Sequence, residues 1–162
     1  MKYLITMLAI FAFPVFADVN IVGTVAAKCV IQTTKSGVYG NPLASKLSTL
    51  AADGGVQPII RYDVALADNY YARITHPDAF TSSPVLNDSV TWTGGTTVFQ
   101  TSDAAMSGYD AAKVVIGSMT QFDLTQAGST WFTTASTATY GVSKALPGGT
   151  FTAVVRAECI AK

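Results

Sequence analysis

Apolar and polar residues alternate with period two along much of the chain, which is the repeat of a half-buried β-strand. In "VNIVGTVAAKCVI" (19–31), Val19, Ile21, Gly23, Val25 and Ala27 fall on one face, and Asn20, Val22, Thr24, Ala26 and Lys28 on the other. "NYYARIT" (69–75) sets Tyr70, Ala72 and Ile74 against Tyr71, Arg73 and Thr75. "TFTAVVRAECIA" (150–161) sets Phe151, Ala153, Val155, Ala157 and Cys159 against Thr152, Val154, Arg156, Glu158 and Ile160, so that Arg156 and Glu158 mark a solvent face. "VQPIIRYDVAL" (56–66) is apolar enough to cross a core, and "KVVIGSMTQFDL" (113–124) reads as another strand signal. In "SVTWTGGTTVF" (89–99) two β-prone arms flank Gly94-Gly95, and paired glycines suit the positive φ angles of a tight turn, which predicts a hairpin. Helix signals are confined to "SDAAMSGYDAA" (102–112), which Gly108 limits to a turn or two. Short strands joined by Gly, Pro, Asn and Asp predict one all-β domain, a two-sheet sandwich with Greek-key connections.

The first residues change this picture by adding a compartment. Lys2 precedes an apolar run from Leu4 to Phe13, and Val15-Phe16-Ala17 has the small residues of a cleavage site. Residues 1–17 therefore read as a secretory signal peptide, with Asp18 as the mature N-terminus. The run is shorter than the roughly 20 residues that span a bilayer, though a retained anchor is the alternative. Residues 18–162 have the length of one domain. In an exported protein the isolated pair Cys29 and Cys159 reads as one disulfide closing nearly the whole domain, with two free thiols or an intermolecular bond as alternatives. Ten basic and ten acidic residues balance, and loss of Lys2 leaves a net charge of about −1. No basic patch invites nucleic acid.

Candidate chemistry is sparse. The one histidine, His76, precedes Pro77, which favours a turn over a general base, and no serine sits in a G-x-S-x-G elbow. Asp63 and Asp68 are a conceivable carboxylate pair with nothing to set their separation, and Glu158 is the one glutamate. The remaining aspartates mostly neighbour Gly, Asn, Ser or Ala, as turn and cap residues do. Two thiols and one distant histidine are too few for a metal site. Neither "GGT" opens a helix that would hold phosphate. The expectation is a protein without catalytic, cofactor or metal residues, one that binds or assembles. Trp92, Trp131, Tyr70 and Tyr71 offer an alternative, a sugar-binding platform in a secreted adhesin or carbohydrate-binding module. A small secreted hydrolase or inhibitor is a more distant one.

A free apolar strand at the N-terminus exposes backbone donors and apolar surface, so it needs a partner. The last strand has the matching character, since an apolar face with an unpaired edge accepts an added strand. Three stretches carry a resemblance. They are "VNIVGTVAA" directly after the cleavage site, "VLNDSVTWTGGTTVFQTSDAAMSGYDA" (85–111) and the closing "PGGTFTAVV" (147–155). Together they resemble the major pilins of the chaperone–usher pathway, most closely the alpha-class colonisation-factor fimbrial subunits.

The resemblance implies an immunoglobulin-like sandwich that lacks its final strand and is completed by donor-strand exchange. Residues 18–28 would be a donor extension anchored by Val19, Ile21, Val25 and Ala27, with Gly23 a shallow position, and 29–162 the pilin domain. Phe151, Ala153, Val155 and Ala157 would line one wall of the acceptor groove. The implied partners are neighbouring copies in a polymer, a periplasmic chaperone, an outer-membrane usher and a tip adhesin. The implied location is a fimbria on a Gram-negative cell surface, serving adhesion or biofilm growth. Cys29 with Cys159 departs from the family, whose alpha-class members generally lack cysteine. Pairing of the N-terminal strand within its own domain is the alternative.

Overall fold

The computed structural model describes residues 29–142 and 144–162. The signal-peptide and donor-strand expectations, including Val19, Ile21, Gly23, Val25 and Ala27, lie outside the described residues. The chain is all-β, with ten strands in two antiparallel sheets among those residues. They are β1 (Cys29–Lys35), β2 (Gly40–Leu43), β3 (Lys46–Ser48), β4 (Ile59–Val64), β5 (Tyr70–Thr75), β6 (Val90–Thr101), β7 (Val114–Ile116), β8 (Met119–Leu124), β9 (Gly128–Tyr140) and β10 (Arg156–Ala161). The 102–112 stretch forms a short 3-10 turn at Ala104–Met106 and one helical turn, α1, at Tyr109–Ala112.

The first sheet is organised on β9. One edge carries β6 along its whole length. The other carries β4 against Gly128–Thr133 and β3 against Thr137–Thr139, with β1 outside β4 and β2 outside β3. The second sheet has the order β10-β5-β8-β7. Between the sheets, Ile60, Tyr62 and Val64 of β4 and Phe132 of β9 meet Ala72, Ile74, Phe122 and Leu124 of β5 and β8. Phe132 sits edge-on to Tyr62 at 5.4 Å and tilted against Phe122 at 4.5 Å, geometries that aromatic quadrupoles favour. Tyr62 is fully buried, and its hydroxyl donates to the Glu158 carbonyl at 3.0 Å and the Arg73 carbonyl at 3.3 Å, tying β4 to β10 and β5. Burial drives its ionisation well above the ordinary tyrosine range.

Two expectations are corrected. The Gly94-Gly95 pair makes no turn: β6 runs through it as a single strand. A Cβ at Gly94 would stand 2.5 Å from the Ala135 carbonyl oxygen and 2.9 Å from the His76 ring. The glycine is there for close approach rather than for positive φ. The hairpin lies instead inside "KVVIGSMTQFDL", where Gly117 takes φ +59° and Ile116 faces Met119 across a two-residue loop. The central strand β9 escapes a hydrophobicity pattern because several of its inward residues are Thr130, Thr134, Ser136 and Ala138. The Thr134 and Ser136 hydroxyls are bonded to residues distant in sequence, Thr96 at 3.0 Å and Tyr39 at 2.9 Å.

Candidate functional site

The edge strands of the two sheets, β1 and β10, meet at one place. Cys29 and Cys159 form a disulfide with Cα atoms 6.4 Å apart. Beyond it the two edges separate, each for a local reason. On one side the β1–β4 register slips between Thr33 and Lys35, a bulge of the kind that bends a strand, before pairing resumes at Lys35 with Ile59. On the other, the β5–β10 ladder ends at Thr75 opposite Arg156. Pro77 follows two residues on, and its missing N–H cannot continue a ladder. Upstream of Arg156 the chain stays extended but turns to a different neighbour, since Thr152 and Ser82 exchange backbone hydrogen bonds of 2.8 and 3.3 Å.

Between these edges lies a cleft of about 710 Å³. Thr33 and Ser36 to Tyr39 border one side, and Gly149 and Phe151 to Val155 the other. Buried Leu47 of β3 and Ile60 of β4 line the cleft, giving it an apolar character. Ser136 of β9 also reaches it and hydrogen bonds the Tyr39 hydroxyl at 2.9 Å. Burial raises the Tyr39 pKa above its ordinary value, against an opposing effect of that bond, so the hydroxyl is neutral. Phe151 packs at 5.1 Å on Phe80, which also touches Trp92 at 4.7 Å and Tyr39 at 6.5 Å. Among the described residues no charged side chain lines the cleft, which suits an apolar, uncharged guest.

Phe151, Ala153 and Val155 are half-buried at this cleft, while Thr152 and Val154 are exposed. Ala157 is not among the residues at the cleft: it lies in β10 opposite Ile74 and packs on the main core, as Val155 also does. Tyr39, Leu47 and Ser136 were not legible as site residues, because β2 and β3 carry no clear alternation and Ser136 is a polar residue facing inward.

The other candidates are scattered. Asp63 pairs with Arg61 at 2.7 Å and accepts from Ser129, whereas Asp68 pairs with Lys162. His76 Nδ1 is 3.1 Å from the Pro77 carbonyl oxygen. Trp92 faces inward on β6, while Trp131 faces outward on β9 with the Arg61 guanidinium 5.1 Å above its ring. Tyr70 and Tyr71 belong to the second sheet, and Lys162 covers Tyr71. The four aromatics therefore share no platform. Among the described residues no group of three or more His, Cys, Asp or Glu is placed to hold a metal ion. No protein-family model, curated protein or solved structure matches the chain.

Proposed function

We infer that the protein is a structural subunit of a surface pilus, an incomplete immunoglobulin-like Greek-key sandwich that polymerises by donor-strand complementation. The observation that carries this reading is the apolar cleft between Thr33–Tyr39 and Gly149–Val155, two edge segments with no strand pairing to one another among the described residues. Such a gap leaves backbone donors and acceptors and apolar surface without a strand to cover them. The segment 18–27 has the complementary character, an alternating strand with Val19, Ile21, Val25 and Ala27 on one face. Burying four such anchors contributes several kcal/mol at roughly 25 cal/mol per Å² of apolar surface. Slow strand exchange then makes the polymer kinetically durable. On this reading the subunit crosses the periplasm bound to a chaperone, passes an usher, and joins a fibre that ends in an adhesin.

The test is assembly of residues 18–162, followed by sedimentation, with the peptide DVNIVGTVAA in excess. The expected result is fibres that the peptide caps into monomers of raised melting temperature, an effect lost when Ile21→Asp is placed in the peptide. A chain that stays monomeric, melts high and ignores the peptide would overturn the reading.

A further inference from the structure

β6 is a long edge strand with no guard in its own sequence. Its one strand partner among the described residues is β9, so its second edge faces away from the sheet. Val90–Thr101 holds 12 residues without a charge or a proline. The other outer strands are protected differently. β7 has 3 residues, too few to template a ladder, and β2 contains Pro42. β1 and β10 are joined by the disulfide. Within β6, Gly94-Gly95 weakens the first half as a template. Thr96–Thr101 (TTVFQT) is free of glycine and rich in β-formers, the composition of a self-pairing segment. Its exposed Thr97 and Phe99 carry no charge, so a second copy of the same run would meet no like-charge repulsion.

Side chains from α1 and its C-terminal cap sit on this run. Asp110 Oδ1 accepts from the Val98 N–H at 3.1 Å, and Lys113 Nζ donates to the Thr96 carbonyl at 3.0 Å. Lys113 also donates to Asp110 Oδ1 at 3.2 Å, across one helical turn. Residues two apart in a strand turn their backbone groups to the same edge, so the Thr96 carbonyl and the Val98 N–H are groups an added strand would engage there. Tyr109 fixes α1: its ring is buried in the main core, and its hydroxyl accepts from the Gln126 N–H at 3.0 Å. We propose that Asp110 and Lys113 form a side-chain cap that closes the β6 edge to β6 of a second copy. The cap supplies one acceptor and one donor where a strand would. An approaching uncharged strand would have to strip water from both charges to displace it. This edge is separate from the cleft, and its closure does not depend on what fills the cleft.

The test uses chain 18–162 with photo-crosslinking benzoylphenylalanine in place of the exposed Phe99, with and without Asp110→Leu and Lys113→Met. Amide exchange is followed alongside. With the cap intact, irradiation is expected to give no crosslink to residues 90–101 of another copy. Without it, Val98 exchange in dilute protein is expected to quicken about tenfold. Concentrated protein should then give crosslinks from position 99 to residues 90–101 of a second copy. Adding Thr97→Lys, which places a charge on the edge, should abolish them. Unchanged Val98 exchange in the double variant overturns the cap. Fast exchange without crosslinks overturns the second copy as occupant, as do crosslinks to residues 18–27 that appear only on loss of the cap. Equal crosslinking with the cap intact overturns closure, and crosslinks that persist with Thr97→Lys overturn strand pairing as their origin. If the double variant does not fold, Lys113→Met alone decides: crosslinks to residues 90–101 support the cap, and their absence overturns it.

Discussion

The two halves of the C-terminal run share one sequence pattern and differ in what holds them. From Arg156 to Ala161 every residue is in register with β5, Cys159 is bonded to Cys29, and the Glu158 carbonyl accepts from Tyr62. From Thr150 to Val155 the same alternation of exposed and half-buried residues continues, yet among the described residues one bridge at Thr152 is the strand pairing it makes. Inward-facing side chains are therefore not enough to make a closed sandwich edge. The backbone needs a partner of its own, and among the described residues a continuous one is supplied to Arg156–Ala161 alone.

The disulfide is expected to dominate the closed half. Replacing both cysteines with serine frees a loop of 130 residues. Loop-entropy reasoning sets the loss at about 4–5 kcal/mol, read as a lower urea midpoint. A loss under about 1 kcal/mol would mean that the β5 ladder and core packing hold β10 without it, and would erase much of the contrast.

Tyr62→Phe keeps the ring against Phe132 but removes the bond to the Glu158 carbonyl. It is expected to cost about 1 kcal/mol, together with faster amide exchange in Arg156–Ala161 and little change in Gly149–Val155. Equal acceleration in both halves would show that they open as one unit.

The smallest effect concerns pH. Hydrogen bonds from Lys46 and Ser48 hold the Asp53 carboxyl below its usual range. A depressed folded pKa means that the stabilisation is full above the unfolded value, about 3.9, and is lost as pH falls through the lower folded value. Lys46 begins β3, whose Leu47 lines the cleft, so acid should loosen the open half first. The check is a melting series from neutral to acidic pH, in which Lys46→Met flattens the acid limb slightly. An unchanged limb would remove Asp53 from the account.

Legibility in the sequence followed the chemistry of the inward face. In β4, β5 and β8 the buried positions are filled by Ile60, Tyr62, Ala72, Ile74, Phe122 and Leu124, so period-two burial was visible as period-two hydrophobicity. In β9 the same burial period is carried partly by Thr, Ser and Ala; the Thr134 and Ser136 hydroxyls find their partners, Thr96 and Tyr39, only after the strands assemble. Gly94 reversed its expected role, and the turn at Gly117 went unread, for a related reason. A glycine's sequence neighbours do not say whether it turns the chain or admits another backbone, and the Ala135 carbonyl that crowds Gly94 is 41 residues away. Of the cleft, the inward facing of Phe151, Ala153 and Val155 was legible from their alternation, while a groove wall of Phe151, Ala153, Val155 and Ala157 was what the resemblance implied. The opposite side, running through Thr33, Ser36 and Gly37, was not legible.

The amino-acid order by itself determined an all-β chain, the inward set of its last strand and the pair of cysteines available to join its ends, because these depend on local period and on residue chemistry. Tertiary structure alone decided that the pair joins the outer strands of two different sheets, and that a bulge after Thr33 and a proline at 77 part those strands beyond it. The cleft is a gap between segments more than a hundred residues apart, and no local pattern encodes a gap. It exists because a bulge interrupts the β1–β4 ladder and the β5–β10 ladder stops, each for its own local reason, on the same side of one core.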